Sequence, residues 1–190
     1  MHVHTAGYHR ELRQRRKQIK LPFGAQRLLA IFEGVEGGFA IGAGIIVGLV
    51  AIQTDRHLVL ISAAISLLVS SFSAAAIKYA AEHQIDEADG HEKKNVVQHY
   101  FMPALYDFVA CLIASVLVLL PIHFVTDIYL AATLSVLITL GVLFVAGVWR
   151  GYLMRRHHKL RDGIELMIVG VLIIIIGGLS GILLSSLTSL

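Results

Sequence analysis

Two carboxylates stand three residues apart in the run FEGVEGGFAIGAG, residues 32–44: Glu33 and Glu36, set among glycines and large apolar side chains. On a helix this spacing brings them close together on one side. An acidic residue at the centre of a membrane span costs about 2.5–3.5 kcal/mol on insertion scales, so such residues turn to a bundle interior or to water. In low dielectric a lone carboxylate takes up a proton, and a nearby cation reverses this. Two such groups can trade protons for a metal ion. Asp107 adds a third acid at similar depth on the same side, either completing an oxygen-rich site or capping a helix. The plainer alternative for Glu33 is a pairing with Arg27 or another base at the headgroup boundary.

A second acidic run, AEHQIDEADGHE, brings Glu82, His83, Asp86, Glu87, Asp89, His91 and Glu92. On a helical extension, Glu82 and Asp86 share a face, with His83 and Glu87 beside them. Carboxylate with imidazole suits Fe, Mn or Zn. An EF-hand does not fit, because Ile85 interrupts the acidic alternation before Gly90. The alternative is a solvated linker. No zincin His-Glu pair lies on a span and no nucleophile stands by a base, so an enzyme is not expected. Nucleic-acid binding is not expected either, since the basic residues flank apolar blocks and no aromatic platform accompanies them.

The elements that must position these groups are membrane helices. Of 190 residues, 56% are hydrophobic and 15% charged, where a soluble domain carries about a quarter charged; mean hydropathy is +0.74. A transmembrane helix needs roughly 20 apolar residues, and five blocks qualify: about 28–52, 58–77, 103–125, 128–149 and 165 to the C-terminus. The expected fold is an all-α integral membrane protein of five transmembrane helices. A basic tail, residues 1–27, precedes the domain 28–190, which carries an acidic, His-bearing loop over 78–102. The tail has no apolar core before a small-residue cleavage site, so no removable signal peptide is expected. The lone Cys111 allows no intrachain disulfide.

Basic residues sit on one side of these spans. The tail has Arg10, Arg13, Arg15, Arg16, Lys17, Lys20 and Arg27, and the loops after spans two and four have Lys78, Lys93, Lys94, Arg150, Arg155, Arg156, Lys159 and Arg161. The other side has Arg56 alone. The positive-inside rule therefore predicts a cytoplasmic N-terminus and an outer C-terminus. Absence of an organelle address and the short chain point to a prokaryotic cell membrane. Small residues recur at helical spacing: Gly34, Gly38 and Gly42; Gly44 and Gly48; Ser62, Ser66, Ser70 and Ala74; Gly177 and Gly181. Such faces let helices approach closely, which predicts a tight bundle and a homodimer.

The run over 32–44 resembles the first-span signature of the vacuolar iron transporter family: an acid–Gly pair, then Phe-Ala and Ala-x-Gly, here Glu33, Gly34, Phe39, Ala40, Ala43 and Gly44. LLP at 119–121 and DGIELMIVG at the opening of span five are similar as well. The resemblance implies export of Fe²⁺ or Mn²⁺ from the cytosol against protons, by a homodimer with its pathway between the subunits. It puts Glu33 where the family has its transport Asp. Where the family carries Met and then Gly-Glu-Tyr in span two, this chain has Ser71, Phe72 and Ser73, which makes Ser71 and Phe72 pathway candidates. The metal is cargo, and no resident cofactor is expected. The rival reading is a non-transporting scaffold whose buried acids are structural pairs. For the acidic run, metal capture predicts that a peptide spanning 81–99 binds Mn²⁺ or Fe²⁺ in calorimetry more tightly than an unrelated acidic peptide; equal binding makes it a linker.

Overall fold

The computed structural model describes residues 25–53, 55–88, 95–153 and 159–188. Five helices among them are long and apolar enough to cross a membrane: α1 (Ala25–Ala51), α2 (Arg56–Ala88), α3 (Met102–Phe124), α4 (Ile128–Leu153) and α5 (Lys159–Thr188). A π-helical turn, Val97–Phe101, runs directly into α3. The described residues are almost wholly helical, and the chain is a multi-pass membrane protein. The basic tail falls outside the described residues except at its end, where α1 already begins at Ala25.

The expected loop over 78–102 is mostly helix. α2 has 33 residues, about 50 Å at helical rise, against a hydrocarbon layer of about 30 Å. Its apolar part ends at Ile77, and the remaining turns carry polar side chains as a helix rather than a loop. The π-turn has a local cause. Pro103 lacks the N–H that would bond the carbonyl four residues back, and its ring crowds that carbonyl. The His99 oxygen is left without its helical donor and accepts instead from Gln26 Nε2 at 3.1 Å. Gln26 Nε2 also donates to Glu82 at 2.7 Å. One side chain at the start of α1 thus ties the end of α2 to the turn before α3.

At the opposite end Asp127 caps α4, its Oδ1 accepting from Tyr129 N at 2.9 Å. Arg56 donates to the His123 carbonyl and so covers a free oxygen at the end of α3.

α1 is the central post and touches each of the other four helices. Its glycines make that possible on two faces. A Cβ at Gly38 would lie 2.6 Å from both the Cys111 oxygen and the Ala114 Cβ on α3, and one at Gly48 would lie 2.8 Å from the Gly177 oxygen on α5. The small-residue faces of spans one and five are therefore consumed inside the chain, and they supply no argument for a dimer. The face of α2 differs. Its buried side is Val59, Ala63, Leu67, Ser71 and Ala75, while Ser66 and Ala74 of the expected small stripe are exposed and Ser62 and Ser70 half-buried.

Large aliphatic and aromatic side chains point outward, as Ile61, Phe72, Ile176 and Leu183 do. Small ones fill the interior, as Ala30, Ala43, Ala63 and Ala131 do. Lipid covers the former at no hydrophobic cost, so helix association here depends on close packing. Gly38→Val is therefore expected to cost about 1–3 kcal/mol through overpacking against α3. Gly141→Ala is expected to be neutral or mildly stabilising, since a Cβ there meets nothing within 4 Å. Melting curves of the purified variants in detergent check both.

Candidate functional site

The charged groups inside the bundle gather at the end where α1 and α3 begin and where the apolar part of α2 stops. Glu33 on α1 accepts from Lys78 Nζ on α2, and Lys78 Nζ lies 3.9 Å from Asp107 Oδ1 on α3. Three helices thus contribute one charge each. Lys78 and Asp107 are largely enclosed, at 14% and 7% side-chain exposure, whereas Glu33 is 45% exposed. These groups line a cleft of about 330 Å³ between α1 and α2, with α3 behind it. Gly37 and Ile41 of α1 and Ser70 and Ala74 of α2 continue its walls. Cys111 brings a thiol to the same cleft. Its Sγ lies 2.9 Å from Ser71 Oγ, which donates to the Leu67 carbonyl at 2.7 Å.

Glycine decides how deep the cleft can be. Gly34 sits against the Asp107 backbone, and the open side of Gly37 has no atom within 4 Å of where a Cβ would lie. α1 and α3 therefore approach closely enough for carboxylates of both to face one ammonium.

Glu36 does not line this cleft. A three-residue step leaves two side chains about 60° apart around a helix axis, and here that angle falls across a boundary between neighbours. Glu36 turns to α4, where Arg150 Nη1 donates to its two oxygens at 3.2 and 3.3 Å. Phe32 and Trp149 meet edge to face beside the pair, with centroids 6.1 Å apart. The expectation of one passage lined by both glutamates is corrected: Glu33 faces a cleft, and Glu36 belongs to a closed ion pair. The alternative of a base beside Glu33 is met by Lys78, while Arg27 lies over the Tyr106 ring at 6.0 Å.

Ser71 and Phe72 separate in the same way. Ser71 is fully buried against α3, while Phe72 is 67% exposed and packs edge to face on Phe108. Consecutive helical residues lie about 100° apart, so only one can face inward. Phe72 is not a lining residue of the single chain.

In the acidic run, the described residues are committed to holding helices together. Glu82 accepts from Gln26, and Asp86 accepts from Tyr100 Oη at 2.8 Å. His83 packs between Tyr79 and Tyr100, with centroids 6.3 and 5.0 Å away. Its Nδ1 is buried without a hydrogen-bond partner. Glu87 is exposed. Asp89, His91 and Glu92 lie outside the described residues. Among the described residues no three His, Cys, Asp or Glu side chains gather as a metal-holding group, and Glu82, His83, Asp86 and Glu87 do not form one by themselves.

Sequence reading missed Lys78, Arg150 and Cys111. For the two bases the sequence carries their level but not their direction: each directly follows an apolar run, and alternating helices put the ends of spans two and four beside the starts of spans one, three and five. Comparison with protein-family models, with curated proteins and with solved structures finds no match.

Breaking the Glu36–Arg150 pair from one side leaves a charge in a poorly solvated place. Glu36→Gln and Arg150→Met are each expected to destabilise by about 1–3 kcal/mol, less than the roughly 3–5 kcal/mol of a fully buried pair. The double variant should lose less than the two single losses added, as equilibrium unfolding in mixed detergent will read.

Proposed function

We propose that the chain is a membrane transporter that moves a divalent metal ion, Fe²⁺ or Mn²⁺, out of the cytosol in exchange for protons. Glu33 and Asp107 are the carboxylates that receive it. The observation that carries this reading is the cleft: two carboxylates from different helices face one cation, inside an apolar bundle, with one of the carboxylates open to the surroundings. Carboxylate oxygen is a hard donor that suits Mn²⁺ and accepts Fe²⁺ as well. A carboxylate that can hold a proton, an ammonium or a metal in turn is the chemical requirement for exchange.

The direction follows from the basic residues of the sequence, which set the N-terminus and the charged end of the bundle in the cytoplasm. The cation enters from that side. The likeness of the run 32–44 to the vacuolar iron transporters supports the same cargo and direction. The cleft is open along the outside of the single chain, and an apolar groove of about 430 Å³ between α1 and α5 continues from it past Ile41. A second copy laid over this side would wall a passage across the bilayer, and we read the working unit as a homodimer. The exposed small residues of α2, Ser66 and Ala74, suit such a contact.

One observation favours a second reading. Glu33 and Glu36 each have a base as partner, as a non-transporting scaffold with structural ion pairs would require. Flux separates the two. Proteoliposomes holding the wild-type chain are expected to move Mn²⁺ or Fe²⁺ with counterflow of protons, and Glu33→Gln to lower the rate by about a hundredfold or more while assembly persists. No flux from the wild type, or normal flux from Glu33→Gln, assigns the acids to structure.

A further inference from the structure

We infer that Lys78 is the resting occupant of the cation position: its ammonium fills the place between Glu33 and Asp107 and must leave when a divalent ion enters. The inference rests on the transport reading for its purpose, though not for its geometry. Lys78 directly follows the apolar run of α2, where a lysine ordinarily extends along the helix to carry its charge into water. Here it turns inward. Its side chain is 14% exposed, its Nζ donates to Glu33 and it stands 3.9 Å from Asp107.

The contrast with Arg150 identifies which of the two intramembrane pairs is exchangeable. Arg150 meets both oxygens of Glu36, and that carboxylate is 17% exposed. Both contacts come from the one nitrogen Nη1, so this pair is held by the enclosure of its carboxylate rather than by a two-pronged fork. Lysine is a point charge on a four-carbon stem and pairs without a fixed fork, and its partner Glu33 is 45% exposed. Charge counting agrees. With both acids ionised, an ammonium leaves the cleft at net −1, whereas a divalent ion in its place leaves it neutral. Ammonium and metal cannot occupy the same few ångströms together, because like charges repel there with little water to screen them. Entry of the metal therefore expels Lys78 toward the polar end of α2, and release of the metal lets it return. The returning ammonium helps drive the metal off.

The test is Mn²⁺ binding to the full chain in lipid nanodiscs, read by electron paramagnetic resonance, for wild type, Lys78→Met, Lys78→Gln and Lys78→Arg. Removing a fixed positive charge from beside two carboxylates is expected to tighten binding by about tenfold or more in Lys78→Met and Lys78→Gln. Lys78→Arg should bind as weakly as wild type. Propylammonium should compete with Mn²⁺ in Lys78→Met and not in wild type, an effect no structural role for Lys78 would produce. In flux, Lys78→Met should lower both KM and kcat, since the metal enters readily and leaves slowly. Well-folded Lys78→Met and Lys78→Gln that bind Mn²⁺ no more tightly than wild type overturn the inference, as does tighter binding by Lys78→Arg. A wild type that moves no metal, beside a Lys78→Met that gains binding, overturns the transport reading and leaves the assignment of Lys78 standing.

Discussion

A carboxylate inside the hydrocarbon layer must meet a cation or a proton. Everything at the charged end of this bundle follows from that requirement. Glu36 and Asp107 are largely enclosed by the bundle and Glu33 less so, and the chain answers with bases from the ends of α2 and α4. The two answers differ in kind. Arg150 closes on Glu36 among aromatic rings, while Lys78 stands in an open cleft with two acids. One pair fastens α1 to α4, and the other leaves a negative charge uncompensated where a small cation can approach.

Glycine makes the charge arrangement reachable. α1 approaches α3 and α5 closely because residues without side chains line two of its faces, Gly34, Gly38 and Gly42 toward α3 and Gly44 and Gly48 toward α5. In water a small residue at a helix contact would forfeit buried apolar area. In lipid that area has no driving force to lose, and close approach gains van der Waals contact instead. The same close approach sets Asp107 of α3 near Glu33 of α1. Packing and chemistry therefore share residues, and a bulky substitution at Gly34 would disturb both.

The five helices were legible because each is a long apolar block that needs no knowledge of its neighbours. Helix ends were less so: spacing allows a helical extension through Glu82 and Asp86 beside a solvated linker, and only the packed bundle shows Gln26 and Tyr100 donating to them. The intramembrane acids were also legible, since a glutamate in such a run stands out by cost alone. Their partners and their division were not. Whether two residues three apart share a face depends on where the neighbouring helices lie, and those positions depend on glycine faces that sequence spacing identifies without saying which helix each will meet. Lys78 and Arg150 read as topology signals beside apolar runs, and only the packed bundle turns them inward. Ser71 and Phe72 show the same limit, since adjacent residues cannot both face one cleft.

The account rests on a cation being held between Glu33 and Asp107. The most direct measurement is a structure of the full chain in lipid with saturating Mn²⁺, with the metal located by its anomalous scattering. The account predicts a single strong peak in the cleft, bound by oxygens of Glu33 and Asp107, with the Lys78 side chain displaced. A cleft still filled by Lys78 at saturating Mn²⁺, with any metal peak elsewhere on the chain, would contradict it.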